Sequence, residues 1–156
     1  MLRIVATSLA VTLFCASALA ADVSYRKDIG PLWKTKCAAC HGAQSPYLGD
    51  FEENEKKYRE EMKGPRMDSY AALIFFVGWP DTGALMRRLD DGSSTANRKP
   101  GNMYQYLGGT EEERQASLKV FKAWVGEGAW ILSRWDKKGD TPGVTKEEMN
   151  KIKLKY

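Results

Sequence analysis

The chain has 156 residues and a formal net charge of +4, and its length favours a single domain. It contains three cysteines and one histidine, so few side chains of these two types are available to build a metal or redox site. The small net charge is a weak guide to binding partners, and we expect no nucleic acid among them.

Residues 1–20 are typical of an export signal. A short basic start precedes an almost wholly apolar run, Ile4–Cys15, and Ala18–Ala20 has the small-x-small pattern of a cleavage site. The apolar run is too short to span a bilayer. We therefore predict a periplasmic protein that is cleaved after about Ala20 and keeps no membrane span.

The segment 21–36 predicts a short helix that begins or kinks near Pro31, because proline is tolerated early in a helix but not inside it. The helix leads into Cys37-x-x-Cys40-His41, which has the spacing of covalent c-type haem attachment. Two thiols three positions apart reach neighbouring haem vinyl groups when the backbone turns helically. The imidazole of His41 then lies beneath the porphyrin, where it can bind the iron.

Zinc binding and a thioredoxin-like redox pair are two other interpretations of these cysteines. Cys15 is lost with the signal, so no further cysteine or histidine remains to complete a zinc site. A thioredoxin-like pair expects a βαβ setting, whereas this chain predicts helices throughout. Both observations favour one covalently bound haem c with its iron.

A highly charged segment, 51–63, follows the motif. Glu53 with Lys57 and Glu55 with Arg59 form i,i+4 pairs in the favourable order, which indicates an exposed helix that ends at Gly64-Pro65. A solvated face explains this segment better than a partner-binding face does.

Further helices are predicted from capping residues and apolar spacing. Asp68 or Ser69 caps one of them, and Thr110 and Thr145 each begin a capping box with a glutamate three residues later. The predicted helices are 70–77, 81–89, one that starts at 110 and carries an apolar stripe through 125, and 145–155. Turn-rich segments at 92–109 and 136–144 separate them.

His41 is the only histidine in the sequence, so a second histidine ligand to the iron would have to come from a partner. A methionine thioether is the usual alternative and favours the ferrous state. Met103 is the best candidate, because it lies on a loop with Pro and Gly just before it, shortly before the helix that begins at Thr110. Met67 and Met86 remain alternatives, and each methionine could instead fill a gap in the core.

Taken together, these features resemble the monohaem class I cytochromes c of bacteria. The resemblance covers residues 21–128 and implies an all-α, cytochrome c-like fold, closed by the helix after Thr110. Pro46-Tyr47-Leu48-Gly49 resembles the family's loop beneath the haem. It implies that the Pro46 carbonyl accepts the second N–H of His41, although an ordinary turn would use the same residue types. Residues 129–156 form a basic extension beyond a minimal member.

The resemblance implies one-electron transfer by a single haem with His41 and Met103 as axial ligands, and no catalysed reaction. A soluble carrier and a docked subunit of a redox complex share this chemistry. Their donors and acceptors would be periplasmic or membrane-bound redox proteins. The alternative function is a haem enzyme or gas sensor whose sixth coordination position is open or labile.

Overall fold

The computed structural model describes residues 22–78, 83–95, 97–130 and 145–156, and these parts of the chain form helices and loops without a strand. The predicted export signal, the first two residues of the predicted helix 81–89 and the linker 136–144 lie outside the described residues. Within the described parts, no helix has the length and apolar character that crossing a membrane requires.

Short helices dominate the first two thirds of the chain, and a longer one follows. In chain order they are α1 (Gly30–Lys36), α2 (Ala38–His41), α3 (Leu48–Glu53), α4 (Glu55–Glu60), α5 (Tyr70–Phe75), α6 (Ala84–Leu89), α7 (Glu111–Val125) and α8 (Lys146–Met149). A π-helical turn, Tyr25–Ile29, runs directly into α1. Pro31 is the second residue of α1, where its missing N–H costs no intrahelical bond.

Side-chain caps begin α5, α7 and α8 as the sequence predicts. The hydroxyls of Ser69, Thr110 and Thr145 each accept a backbone N–H in the first turn. At α8 the glutamate completes a capping box. At α7 the Glu113 carboxylate instead accepts the N–H of Gly109 at 2.8 Å, one residue before the cap.

The charged segment does not form one helix, so the prediction of a single helix over 51–63 is wrong. The chain breaks at Asn54, whose φ of −131° and ψ of 36° lie outside the helical region. Asparagine competes with helical hydrogen bonding through its own side chain. The break lets the ring of Phe51 stack on Tyr58 with centroids 6.2 Å apart. The predicted ion pair Glu55–Arg59 forms on α4.

The core lies where the N-terminal segment crosses α7. Trp33 on α1 meets Phe121 edge to face, with ring centroids 6.3 Å apart. Tyr25, in the turn before α1, lies 6.4 Å from the ring of Trp124. Phe121 and Trp124 are fully buried. This crossing holds the cysteine motif, which directly follows α1.

The last described segment, 145–156, lies back across this helix crossing, and we call it the C-terminal strap. The prediction of a helix through residue 155 is wrong beyond Met149, since Asn150 and Lys151 form a turn and the rest of the strap is not helical. Its backbone bonds other parts of the molecule instead, with Lys153 N–H donating to the Val125 carbonyl at 2.9 Å. Tyr25 N–H and the Trp124 indole N–H both donate to the Lys155 carbonyl, at 2.8 and 2.9 Å.

Candidate haem site

The two cysteines of the motif are placed by a single helical turn. Cys37 ends α1, and its N–H donates to the Trp33 carbonyl at 2.8 Å. The N–H groups of Cys40 and His41 then both donate to the Cys37 carbonyl, at 3.2 and 2.9 Å. Both thiols are free and half-buried. Burial, and to a lesser degree the neighbouring Cys40, raises the pKa of Cys37 to about 12.

The His41 imidazole has one nitrogen engaged by the backbone. Its Nδ1 lies 2.8 Å from the Pro65 carbonyl oxygen, and because a carbonyl only accepts, Nδ1 carries the proton. Burial lowers the pKa of His41, and the charge of Arg88 lowers it further, against the opposing effect of the Pro65 bond. The ring is therefore neutral, with Nε2 as the nitrogen that can bind a metal.

The acceptor for His41 is not the one that the sequence predicted. The Pro46 carbonyl accepts the N–H of Arg66 at 2.7 Å, whereas Pro65 serves the imidazole. The reason is a backbone pairing between 40–46 and a segment 24 residues further on, the proximal segment 64–67. Within it, Gly64 N–H donates to Cys40 O at 2.8 Å, and Met67 N–H donates to His41 O at 2.9 Å.

Gly64 makes this close pairing possible. A Cβ at this position would overlap Cε1 of the His41 ring, so the imidazole lies directly against the glycine backbone. The sequence predicts a helix end at Gly64-Pro65. A glycine, which allows close backbone approach, next to a proline, which cannot continue a helix, is the only local signal for this role.

Trp33 forms a wall beside the imidazole, with the two ring centroids 6.1 Å apart. Its indole Nε1 is buried, and among the described residues it has no hydrogen-bond partner. Buried N–H groups are nearly always paired in folded proteins. An aromatic wall with an unpaired donor, two free thiols and an oriented imidazole fit a bulky, mostly apolar prosthetic group attached at the motif.

Met103 lies in a turn just before a short 3-10 helix, Tyr104–Leu107, and we call residues 101–104 the Met103 loop. Met103 N–H donates to the Arg88 carbonyl at 3.0 Å, and Gly101 N–H donates to the Asp90 carbonyl at 2.8 Å. The loop thus lies against the end of α6. The charge of Arg88, which lies at this end of α6, also acts on His41.

Two buried side chains, Asp90 and Tyr104, make hydrogen bonds in and next to the Met103 loop. Asp90 is fully buried, and its carboxylate accepts N–H groups from Trp130, Gly92 and Ser94 at 3.1, 2.9 and 3.3 Å. The Tyr104 hydroxyl donates to the Glu111 carboxylate. Burial and this carboxylate raise the pKa of Tyr104 to about 12, so the hydroxyl keeps its proton.

The comparisons with known proteins agree with this site. A family model described as PccH Cytochrome c matches residues 24–156. The chain belongs to the PccH cytochrome c family. A solved structure, the monoheme cytochrome PccH from Geobacter sulfurreducens, is 52% identical, with a TM-score of 0.75 over 86% of this chain and 98% of that one. No curated protein matches.

Membership of the PccH family confirms three sequence predictions: the family, the helical fold and the haem. The chain is a monohaem cytochrome c with a cytochrome c-like helical fold and one covalently bound haem c, and its chemistry is electron transfer at that haem. The match runs to residue 156. The C-terminal strap therefore belongs to the part of the chain that the family shares.

Proposed function

We propose that this chain is a periplasmic one-electron carrier. Cys37 and Cys40 attach the haem, and His41 and Met103 bind its iron from opposite sides. The haem iron supplies the ferric–ferrous couple. The observation that carries the proposal is the bond from His41 Nδ1 to the Pro65 carbonyl, because it leaves Nε2 as the ligating nitrogen, directly after two thiols with haem-attachment spacing.

Geometry supports Met103 over the other methionines. Met62 and Met149 are 69% and 36% exposed, which places them at the surface. Met67 follows Pro65 by two residues, and its N–H bonds the His41 carbonyl, so it belongs to the same segment that binds Nδ1 of the imidazole. A sixth ligand must approach from the side opposite the histidine.

Met86 and Met103 remain on the α6 side of the site. Met86 is fully buried within α6 and belongs to the hydrophobic core. Met103 is partly buried on a loop at the end of that helix, where its backbone is anchored through Arg88. A partly buried loop residue is free to present its sulfur to a bound group, and a core helix residue is committed to packing.

The partners we propose are periplasmic or membrane-bound redox proteins as donor and acceptor. Lysines of the C-terminal strap, Lys151, Lys153 and Lys155, have exposed side chains although the strap backbone is bonded to the domain. Exposed lysines steer an acidic partner in a salt-dependent way. The rate of electron exchange with an acidic redox partner should therefore fall as salt rises.

The first experiment is an optical spectrum of the ferric holoprotein beside Met103→Ala. A ferric haem with methionine sulfur bound shows a weak far-red charge-transfer band. We expect the wild type to show this band, Met103→Ala to lose it, and the exposed-site control Met62→Ala to keep it. Met86→Leu conserves volume in the core and should also keep the band.

Other results of this experiment would contradict either the ligand assignment or the proposed function. If Met103→Ala keeps the band and Met86→Leu or Met67→Leu loses it, the ligand assignment is wrong. A high-spin wild type without the band would reverse the proposal in favour of an enzyme or gas sensor with an open sixth position. Localisation is tested separately, by osmotic-shock release of the protein and N-terminal sequencing, which should begin at Ala21.

A further inference from the structure

The Met103 loop is attached on two sides by different elements. On one side, α6 and the residues after it hold the loop backbone, through the carbonyls of Arg88 and Asp90. On the other side, α7 holds the loop through the side chain of Tyr104, the residue directly after Met103. The bonds that the Tyr104 side chain makes to α7 can be removed by deleting one oxygen atom, whereas the bonds to α6 involve the loop backbone. The Ser117 hydroxyl of α7 also donates to the Leu107 carbonyl at 2.9 Å, in the turn that follows the loop, and this bond would remain.

The Tyr104 hydroxyl sits at the centre of a small polar group. It donates to Oε1 of Glu111 and accepts from Nε2 of Gln115 at 2.9 Å. Gln115 Nε2 also lies 3.0 Å from Oδ2 of Asp91 and 3.0 Å from Oε1 of Glu111. The group thus connects the Met103 loop, the first turns of α7 and the segment after α6.

The tyrosine itself is fixed within this arrangement. Tyr104 is 6% exposed, and the guanidinium of Arg114 lies 5.8 Å from its ring centroid. Arg114 in turn is ion-paired with Glu111 at 3.0 Å. A hydrogen bond to a charged acceptor is among the stronger ones in proteins. Tyr104 therefore holds its neighbour Met103 at a set position relative to α7.

We propose that Tyr104 is a positioning residue for the sixth iron ligand, and that its bond to Glu111 and Gln115 keeps the Met103 loop closed over the iron. This inference rests on the proposed ligation by Met103. An external ligand can bind the iron only when the loop opens, so its apparent affinity reports the open fraction. Loss of the Tyr104 hydroxyl raises that fraction while the ring continues to fill the core.

The test is imidazole titration of the ferric holoprotein for wild type, Tyr104→Phe and the control Tyr106→Phe. Tyr106 lies two residues further along and is 53% exposed. We expect Tyr104→Phe to keep the far-red band without imidazole, and to lower the apparent imidazole Kd about tenfold. Tyr106→Phe should match the wild type. An unchanged Kd in a folded Tyr104→Phe protein overturns the proposal.

Glu111→Gln and Gln115→Ala provide a second route if Tyr104→Phe folds poorly, since both residues are exposed. Each should lower the Kd by a smaller factor. The double variant Tyr104→Phe/Glu111→Gln should lower the Kd by less than the product of the two single-variant factors, because both single variants weaken the same Tyr104–Glu111 bond. Additive effects would indicate a general loss of stability and overturn the proposal.

The two proposals fail in different ways. If Met103→Ala loses the far-red band and Tyr104→Phe leaves the imidazole Kd unchanged, the ligand assignment stands and the positioning role is wrong. If Met103→Ala keeps the band, the ligand assignment itself is wrong, and the role of Tyr104 is overturned with it.

Discussion

The proximal segment 64–67 and the Met103 loop differ in the groups that hold them. The proximal segment is held mainly by backbone bonds to 40–46, through the N–H groups of Gly64, Arg66 and Met67. The Met103 loop combines backbone bonds to α6 with two side-chain bonds, one donated by Arg88 to Asn102 and one donated by Tyr104 to Glu111. Backbone bonds survive most substitutions, whereas side-chain bonds can be removed singly. The histidine side is therefore hard to alter, and the methionine side is adjustable.

The largest expected effect comes from a substitution at Gly64, on the histidine side. Gly64→Ala places a Cβ into the His41 ring and should destabilise the holoprotein by about 3 kcal/mol. Chemical denaturation and the ferric spectrum measure it. Gly49→Ala is the matched control, because nothing lies within 4 Å of its added Cβ in α3. Equal stability of the two variants would contradict the proposed close packing.

The next effect concerns Asp90, whose buried carboxylate lies next to the Met103 loop. Asp90→Asn replaces one acceptor oxygen with a donor that faces backbone N–H groups, and should lower the free energy of unfolding by about 2 kcal/mol. Amide exchange should rise at Gly101 and Met103 more than at Met67. The exposed Asp50→Asn should leave both regions unchanged. Uniform acceleration across both regions would show that the two sides are not held independently.

A smaller effect depends on pH. Burial opposes ionisation of Asp91, but hydrogen bonds from Ser93 and Gln115 outweigh it and lower its pKa to about 2. A lowered carboxyl pKa contributes stability above the unfolded value near 4, and this stability is lost as pH falls toward 2. Asp91→Asn should flatten that part of the acid-unfolding curve and cost below about 1 kcal/mol at neutral pH, since the group is largely solvated. A curve as steep as the wild type's would contradict this assignment.

The smallest effect is expected on the exposed helix α4, outside both regions, and serves as a reference for the larger ones. Arg59 Nε bonds Glu55 at 2.8 Å on the exposed α4. Glu55→Gln should change the free energy of unfolding by no more than about 0.5 kcal/mol, and less in high salt. Urea denaturation at two salt concentrations measures this. A cost as large as that of Asp90→Asn would show that α4 takes part in the haem site.

Local features were predictable from the sequence because the residues that cause them are neighbours. The helical turn through Cys37 and His41 and the caps at Ser69 and Thr145 each depend on side chains within a few positions. The overall helical fold followed from the same local signals and from the resemblance to a known family.

Non-local backbone pairing was not predictable. The sequence near Pro46 resembled a familiar loop, yet the bond to His41 comes from Pro65, 24 residues away. Likewise, the strap beyond Met149 has the composition of a helix, but its backbone groups find partners on α7 and the N-terminal turn. The hydrogen-bond partners of these backbone groups depend on the tertiary fold, and no local sequence pattern identifies them.

The C-terminal strap also bears on when the protein can fold. Its Lys155 is ion-paired with Asp22, 133 positions earlier, and bonds the Tyr25 backbone as well. Contacts of such high sequence separation form late, because a very long loop must close first. A growing chain cannot complete the strap's bonds to the helix crossing until residue 155 has been synthesised. The strap is therefore the last described segment to join the fold, after the N-terminal segment and α7 can already have met.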